Sequence, residues 1–120
     1  MLSRRSTREV LEDHLRLAQA GELEEDLRRN YAPDVVLLCR SGVLQGLEGA
    51  RASREELRRE LPQARFDYLA VLTYGEVGFL EWRAEGSGVR VDDGADSYLI
   101  QDGRIQVQTI HYTVKPNPGA

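Results

Sequence analysis

The chain has 120 residues, of which 41% are hydrophobic, and a formal net charge of −4. That length suits one domain, because two separate cores would each be too small to be stable. The acidic balance argues against nucleic acid as a partner, since such proteins usually present a basic face. No apolar run approaches the roughly 18 residues of a membrane-spanning helix, and the N-terminal stretch is too polar for a signal peptide. The single cysteine, Cys39, excludes an internal disulfide and is typical of a reducing cytoplasm.

Apolar residues at helical spacing, together with capping residues, predict three helices. The first begins after Ser6, whose hydroxyl can form a capping box with Glu9. It ends at Gly21, because glycine adopts the left-handed conformation after a helix at the lowest cost. Pro33 ends the second helical region and Pro62 the third, since proline cannot continue a helix. The predicted helices span residues 6–20, 23 to about 31, and 47–61.

Alternation of apolar and polar residues predicts five strands. The Asp102-Gly103 pair is typical of a tight hairpin turn, and residues 92–94 suit a bulge. Residues 42–46 are expected to form a loop. The predicted strands span residues 34–40, 65–74, 77–85, 89–100 and 105–114. One face of the second strand is expected to carry Phe66, Tyr68, Ala70, Leu72 and Tyr74.

This order of elements predicts one domain of the α+β class over residues 1–115. Three helices would pack on one face of a curved, mostly antiparallel sheet of four to six strands. The last residues, 116–120, hold two prolines and no apolar pattern, so we expect a frayed tail there.

Short stretches along most of the chain form a recognisable order: Ala20-Gly21-Glu22-Leu23, Leu27, Tyr31-Ala32-Pro33-Asp34-Val35, Gly46, Trp82, Asp96 and Asp102-Gly103-Arg104-Ile105. Together they resemble the nuclear transport factor 2-like superfamily, which includes ketosteroid isomerases and SnoaL-like domains. Their order and spacing imply a cone-shaped α+β barrel with a pocket for a small molecule, and a homodimer formed through the outer face of the sheet. The fold hosts both enzymes and non-catalytic subunits, so the resemblance does not fix the function.

Ketosteroid isomerase allows a comparison residue by residue. In that enzyme a carboxylate base works with an oxyanion hole made of a tyrosine and a protonated aspartate. The resemblance places His14 where the oxyanion tyrosine would be and Arg54 where a supporting tyrosine would be. Cys39 takes the place of the base, and Asp96 that of the protonated aspartate. Because only Asp96 matches, we do not expect steroid isomerisation by that mechanism.

Three ionisable side chains are expected to point into one concavity. His14 and Arg54 lie in the apolar stripes of their helices, and Asp96 shares the parity of Tyr98 on its strand. Since a buried charge is costly unless it is paired, we interpret the group as a site. In it, Asp96 orients His14 as an acid or base, and Arg54 holds an anionic group. The alternative is a structural cluster in which Arg54 pairs with Asp96 and His14 is a hydrogen-bonded core residue.

Aromatic side chains form most of the predicted pocket lining. Cys39 would face the pocket, but a lone cysteine on an apolar strand is more typical of packing than of a nucleophile. His111 is expected on the outer face of the sheet, so it cannot join His14 in a metal site, and neither a metal nor an organic cofactor is implied. The predicted lining consists of Tyr31, Cys39, Arg54, Phe66, Tyr68, Trp82 and Tyr112.

Two hypotheses about function follow. The first is a SnoaL-like domain that binds a small hydrophobic or partly anionic molecule, with isomerase, cyclase or dehydratase chemistry if His14 and Asp96 act as acid and base. The second is a non-catalytic, dimeric binding or assembly module. An open cavity with His14 and Asp96 in its wall favours the first, whereas a cone filled by Trp82 and Tyr112 favours the second.

A homodimer is expected under either hypothesis, because no helix covers the outer face of the sheet. The residues of the last strand that we expect on that face are Ile105, Val107, Thr109 and His111.

Overall fold

A computed structural model describes residues 5–119. The first four residues of the predicted domain and the last residue of the predicted tail lie outside this range. The helices are α1 (Thr7–Gln19), α2 (Leu23–Asn30) and α3 (Gly46–Glu60). The strands are β1 (Tyr31–Cys39), β2 (Gly42–Gln45), β3 (Arg65–Tyr74), β4 (Val77–Glu85), β5 (Val89–Gln101), β6 (Arg104–His111) and β7 (Lys115–Pro116).

One curved, open sheet contains all seven strands. Its main path runs β2-β1-β6-β5-β4-β3, and β7 pairs with β5 outside this path. Strands β1 and β6 are parallel, whereas the other pairings are antiparallel. Helix α1 packs on β3, β4 and β5, and α3 packs on β1 and β2. The predicted α+β architecture, with helices on one face of a mostly antiparallel sheet, is confirmed. The sheet has seven strands rather than the expected four to six, because β2 and β7 were not predicted as strands.

Both ends of α1 form as the sequence predicts. The hydroxyl of Ser6 accepts a hydrogen bond from the N–H of Glu9, and the Glu9 carboxylate accepts one from the N–H of Ser6. At the other end, Gly21 has a φ of +73°, and the N–H of Glu22 donates to the carbonyl of Leu17 at 2.9 Å. This is a Schellman turn, and it places α2 against α1.

The turn and the bulge predicted near the C-terminal strands are also present. Asp102 and Gly103 have φ values of +53° and +72°, as a tight hairpin turn requires. The register of β4 and β5 shifts next to the pair of Trp82 and Gly94, which confirms the bulge predicted over residues 92–94. A Cβ on Gly94 would lie 2.2 Å from an indole carbon of Trp82, so glycine lets the indole lie flat on β5.

The predicted face of β3 is wrong beyond Tyr68. The register with β4 shifts between Tyr68 and Ala70, so Leu69 is an extra residue that moves the following side chains to the opposite face. Leu72 and Tyr74 are therefore on the outer face, 61% and 91% exposed. A period of two cannot reveal such a bulge, because the residues on either side still alternate.

The expected position of Ile105 on the outer face is wrong for the same reason. Ile105 is fully buried and pairs with Ile100, whereas Val107 pairs with Leu99. Gln106 is the extra residue between these pairs. Ile105 therefore belongs to the core, and the outer face of β6 begins at Val107.

Two segments predicted to lack regular structure form strands. Residues 42–46 do not form an open loop, because Gly42–Gln45 is β2, which pairs with β1 as a hairpin. The start of the tail is not frayed, since Lys115–Pro116 pairs with β5 and the N–H of Asn117 donates to the carbonyl of Gly88 at 3.0 Å. The tail thus continues the sheet after β6 ends.

The core lies between α1, α2, α3 and the inner face of the sheet. Its most deeply buried apolar side chains are Val10, Leu11, Leu27, Val35, Leu37, Val91 and Ile105. None of the helices in the described part of the chain has the length and apolar character needed to cross a bilayer.

Candidate functional site

A cavity of about 110 Å³, here called the inner cavity, lies between the helices and the inner face of the sheet. Leucine, isoleucine and aromatic side chains form much of its wall, and its ionisable lining residues include His14 on α1, Arg54 on α3 and Asp96 on β5. The rings of Trp82 and Tyr112 line the cavity without filling it.

The structure brings nearly all of the predicted site residues to this cavity. Cys39 is the exception: it is the last residue of β1, it lies beyond the cavity, and its Sγ is 3.1 Å from the hydroxyl of Ser41. Its expected place in the lining is therefore wrong. The predicted residues that line the cavity are His14, Tyr31, Arg54, Phe66, Tyr68, Trp82, Asp96 and Tyr112.

Asp26, which the sequence analysis missed, is the direct partner of His14. Nδ1 of His14 lies 2.8 Å from Oδ2 of Asp26, and the two side chains are 4% and 0% exposed. The amide of Asn30 donates to the other oxygen, Oδ1, at 2.9 Å. The expectation that Asp96 orients His14 is wrong. Asp26 orients it, because the turn between α1 and α2 sets one helix directly against the other.

Asp26 is held in its ionised form. Burial raises the pKa of this carboxyl, but the charge and hydrogen bond of His14, together with Asn30 and Arg54, outweigh burial and lower the pKa below its usual value. A carboxylate in this position keeps a proton on Nδ1 of His14, which leaves Nε2 as the ring nitrogen that faces the cavity.

The second nitrogen of His14 leads to Asp96 through one hydroxyl. Nε2 of His14 lies 3.4 Å from the hydroxyl of Tyr98, which lies 3.3 Å from Oδ2 of Asp96. The indole N–H of Trp82 and the amide of Gln108 also donate to Asp96, each at 3.0 Å. His14 and Asp96 are thus connected through Tyr98, although they are not in direct contact.

Asp96 differs from Asp26 in its electrostatics. Burial raises the pKa of Asp96 above its usual value, and the hydrogen bonds from Trp82, Gln108 and Tyr98 only partly oppose this. Burial also raises the pKa of Tyr98 well above its usual value, so its hydroxyl keeps its proton in the resting site. The site therefore holds one carboxyl that is readily ionised and one that resists ionisation.

Arg54 pairs with Asp26 and not with Asp96. One guanidinium nitrogen lies 3.3 Å from Oδ2 of Asp26, and the side chain is 17% exposed. The alternative in which Arg54 neutralises Asp96 is therefore wrong. Asp96 stays free to exchange a proton along the chain that passes through Tyr98 to His14.

These contacts allow two arrangements of the protons shared by His14, Tyr98 and Asp96. With Asp96 protonated, its O–H donates to Tyr98, and Tyr98 donates to Nε2 of His14. If both protons move one place, Nε2–H donates to Tyr98, and Tyr98 donates to the Asp96 carboxylate. The side chains His14, Tyr98 and Asp96, which we call the proton chain, can thus present either an acid or a base to the cavity.

A larger, open depression of about 700 Å³, here called the outer basin, adjoins the cavity. Ser53, Ile110 and Tyr112 line both spaces, so they form the boundary between them. The hydroxyl of Tyr112 donates to the carboxylate of Glu60 on α3, and its ring centroid is 5.7 Å from that of Trp82. The remaining lining of the outer basin is Leu38, Cys39, Arg40, Ser41, Glu56, Glu60, His111, Thr113 and Val114.

Sequence signals for the missed residues were present but weak. Asp26 and Asn30 lie three and seven positions after Leu23, so helical spacing puts them on the same face as this apolar residue. Tyr98 is two residues after Asp96, so the alternation of a strand puts both side chains on the same face. None of these signals shows that α2 meets α1 at His14, because that contact depends on the turn between them. Within residues 5–119, no three His, Cys, Asp or Glu side chains gather as metal ligands would.

Solved structures with the same fold come from several bacteria. An NTF2-like protein of unknown function from Cytophaga hutchinsonii has a TM-score of 0.74 at 12% identity, covering 94% of this chain and 95% of its own. A candidate ketosteroid isomerase from Kribbella flavida has a TM-score of 0.75 at 17% identity, with coverage of 94% and 83%. A candidate SnoaL-like polyketide cyclase from Mesorhizobium loti has a TM-score of 0.64 at 16% identity, with coverage of 90% and 100%.

A search of proteins with curated functions finds no match to this sequence. The solved structures share the fold at low identity, so they do not assign a reaction. The family model of the SnoaL-like domain matches residues 11–108, which is most of the chain. The chain therefore belongs to the SnoaL-like domain family.

Proposed function

We propose that this protein binds a small, largely apolar carbonyl compound in the inner cavity and moves a proton on it by acid/base catalysis. Isomerisation, cyclisation and dehydration all require such a step. The proposal rests on one observation, which is the buried proton chain His14–Tyr98–Asp96 in the wall of an open cavity. Names of structural neighbours, which include a candidate ketosteroid isomerase and a candidate polyketide cyclase, agree with this class of chemistry.

Each residue has a distinct role in the proposed step. Nε2 of His14 removes a proton from the carbon next to the carbonyl group, while Asp26 holds the ring by its Nδ1–H. Tyr98 donates its proton to the carbonyl oxygen and receives one from Asp96. The products are an enol, a protonated His14 and an ionised Asp96. Transfer of the His14 proton to a different carbon, with return of the enol proton through Tyr98 to Asp96, completes an isomerisation and restores the site.

The electrostatics support this division of roles. A carboxyl with a raised pKa keeps its proton to higher pH and can act as a proton source, and Asp96 has such a pKa because of its burial. An ionised Asp26 stabilises the positive charge that forms on His14. The non-catalytic alternative predicted a cone filled by Trp82 and Tyr112, whereas both rings leave the cavity open.

Deuterium exchange tests the proposal without knowledge of the natural substrate. Cyclohex-2-enone and cyclohexanone are incubated with the protein in D₂O, and NMR follows the loss of protons next to the carbonyl group. We expect exchange to be faster with the protein than in buffer, and to fall about 10²–10⁴-fold in His14→Gln. His111→Gln is the matched control, because His111 is 62% exposed and lies outside the cavity. Equal exchange by the unmodified protein and His14→Gln would reject the proposal.

We also propose that the protein forms a homodimer through the outer face of the sheet. Pairing in the sheet aligns apolar side chains on this face, and the helices lie on the other. Leu38, Val43, Leu69, Leu72, Tyr74 and Val77 are between 42% and 91% exposed. In a symmetric dimer, this face of one copy would pack against the same face of a second copy. A stable contact would bury about 1,200–2,000 Å² in total.

Sedimentation tests the dimer directly. We expect a dimer at micromolar concentration and a monomer after Leu99→Lys, which puts a charge on the outer face of β5. Ser87→Lys, in the exposed turn between β4 and β5, is the matched control and should remain dimeric. A monomeric unmodified protein would contradict this proposal.

A further inference from the structure

Arg54 is a cation in the wall of a largely apolar cavity. Its side chain is 17% exposed, and it lies on the inward face of α3. A guanidinium has five N–H donors, and burying one is costly unless most of them are satisfied. The partners of Arg54 therefore show whether it is a structural residue or a binding residue.

The carboxylate beside Arg54 is already engaged. Oδ2 of Asp26 lies 2.8 Å from Nδ1 of His14, a shorter contact than the 3.3 Å to Arg54. Oδ1 of Asp26 accepts from Asn30. The guanidinium also lies beside the phenol of Tyr31, where its charge and hydrogen bond partly oppose the rise in the pKa of that phenol caused by burial. Asp26 and Tyr31 use only part of the five N–H donors of Arg54. Among the described residues, no buried side-chain nitrogen or oxygen lacks a partner, so the remaining guanidinium donors are open to the cavity.

We infer that the inner cavity takes a ligand with a carboxylate group, that Arg54 anchors this group, and that binding is accompanied by uptake of a proton at the proton chain. The planar fork of an arginine matches a carboxylate in a bidentate way, which a neutral carbonyl group cannot reproduce. This inference rests on the proposed function, because it concerns the same cavity, and it narrows the substrate class to carbonyl compounds that also carry a carboxylate.

Proton uptake follows from the charges around the cavity. Without ligand, the site has two protonation states of zero net charge. In one, protonated His14 and Arg54 balance the carboxylates of Asp26 and Asp96. In the other, His14 is neutral and Asp96 is protonated, so Arg54 balances Asp26. A ligand carboxylate adds one negative charge, which is balanced when the site holds protons on both His14 and Asp96.

The other groups that face the proton chain cannot be the ones that take up this proton. They are phenols or an amide: Tyr31 on β1, Tyr68 on β3, Gln108 on β6 and Tyr112 just beyond β6. Burial raises the pKa of Tyr68 to about 12, so this phenol is already protonated at neutral pH. Affinity for the carboxylate should therefore increase as pH falls, by at most about tenfold per pH unit for one proton.

Benzoate and benzamide form a matched pair of probes, alike in shape but different in charge. Fluorescence of Trp82, which is the only tryptophan and lines the cavity, reports their binding. We expect benzoate to bind more tightly than benzamide, and more tightly at pH 6 than at pH 8. Calorimetry in buffers of different ionisation enthalpy should show proton uptake with benzoate but none with benzamide.

Substitutions at two arginines of α3 distinguish an anchor at Arg54 from a general effect of positive charge on benzoate binding. Arg54→Gln should weaken benzoate binding at least tenfold and leave benzamide binding unchanged, and Arg54→Lys should lose less. Arg58→Gln, an exposed arginine on the same helix, is the matched control and should bind as the unmodified protein does. Thermal unfolding of each variant confirms that it is folded.

The inference is overturned if benzamide binds as well as benzoate, or if Arg58→Gln loses as much affinity as Arg54→Gln. If that happens but deuterium exchange on the neutral ketones still depends on His14, the proposed function remains valid. Conversely, benzoate binding that depends on Arg54, without exchange on any ketone, would support the anchor and reject the catalytic proposal.

Discussion

Nδ1 of His14 and Oδ2 of Asp26 are 2.8 Å apart, and neither side chain has appreciable contact with solvent. The pair joins two helices that are separated by a single Schellman turn, so its geometry depends on Gly21 as much as on the two partners. Because Asp26 fixes the ring of His14 from outside the cavity, the other nitrogen of the ring is free to act inside it.

Asp26→Asn should destabilise the fold. His14 and Arg54 would then face a neutral amide, and breaking a buried ion pair from one side costs about 3–5 kcal/mol. The folded-state pKa of Asp26 is lowered, so its stabilising contribution is present above the unfolded value of about 4 and is lost as pH falls through the folded pKa. Urea unfolding between pH 3 and 7 measures both effects, and the variant should lack this part of the acid dependence.

Glu25→Gln is the control for Asp26→Asn, because Glu25 is the preceding residue in α2 and its side chain is 37% exposed. It should change the free energy of unfolding far less than Asp26→Asn does, because an exposed ion pair contributes little to stability. If the two variants are equally stable, the buried pair of His14 and Asp26 does not have the importance assigned to it.

Asp96→Asn should alter the pH dependence of stability with the opposite sign. The folded-state pKa of Asp96 is raised by burial, so the folded protein holds this proton more tightly than the unfolded chain. The free energy of unfolding should therefore decline as pH rises from about 4 through the folded pKa, and the variant should lack this decline. Asp92→Asn, on the exposed face of the same strand, should retain it. Parallel curves for Asp96→Asn and the unmodified protein would contradict the assignment.

Tyr112→Phe should open the way between the outer basin and the inner cavity. The change removes the hydrogen bond to Glu60 but keeps the ring, which lies just past the end of β6. Acrylamide quenching of Trp82 fluorescence measures access, because Trp82 is 3% exposed and contacts Tyr112. We expect the quenching constant to increase severalfold in Tyr112→Phe and to stay the same in Tyr74→Phe, a substitution at an exposed tyrosine. Unchanged quenching in both would mean that Tyr112 does not control entry.

Local signals predict much of this fold. The capping box at Ser6, the glycine stop at Gly21 and the turn at Asp102-Gly103 each depend on residues adjacent in sequence, and each forms as expected. The errors occur where one extra residue enters a strand. Leu69 and Gln106 create bulges that depend on pairing with a neighbouring strand, and pairing is not visible in the period of a single segment.

In the candidate site too, local patterns are predicted correctly and contacts between elements are not. Helical and strand periods correctly direct His14, Arg54 and Asp96 inward, because each faces the apolar side of its own element. They do not reveal which carboxylate meets which cation. That choice depends on how α2 lies against α1 and α3, and it makes Asp26 rather than Asp96 the partner of both His14 and Arg54.

A double-mutant cycle on deuterium exchange tests whether His14 and Asp96 act as one unit through Tyr98. The rate is measured for the unmodified protein, His14→Gln, Asp96→Asn and the double variant, after urea unfolding confirms that each is folded. If the three side chains form one proton chain, each single change removes most of the catalysis and the second change adds little. The account predicts that the double variant exchanges as fast as the slower single variant. Losses that multiply, or an Asp96→Asn variant that exchanges at the unmodified rate, would contradict it.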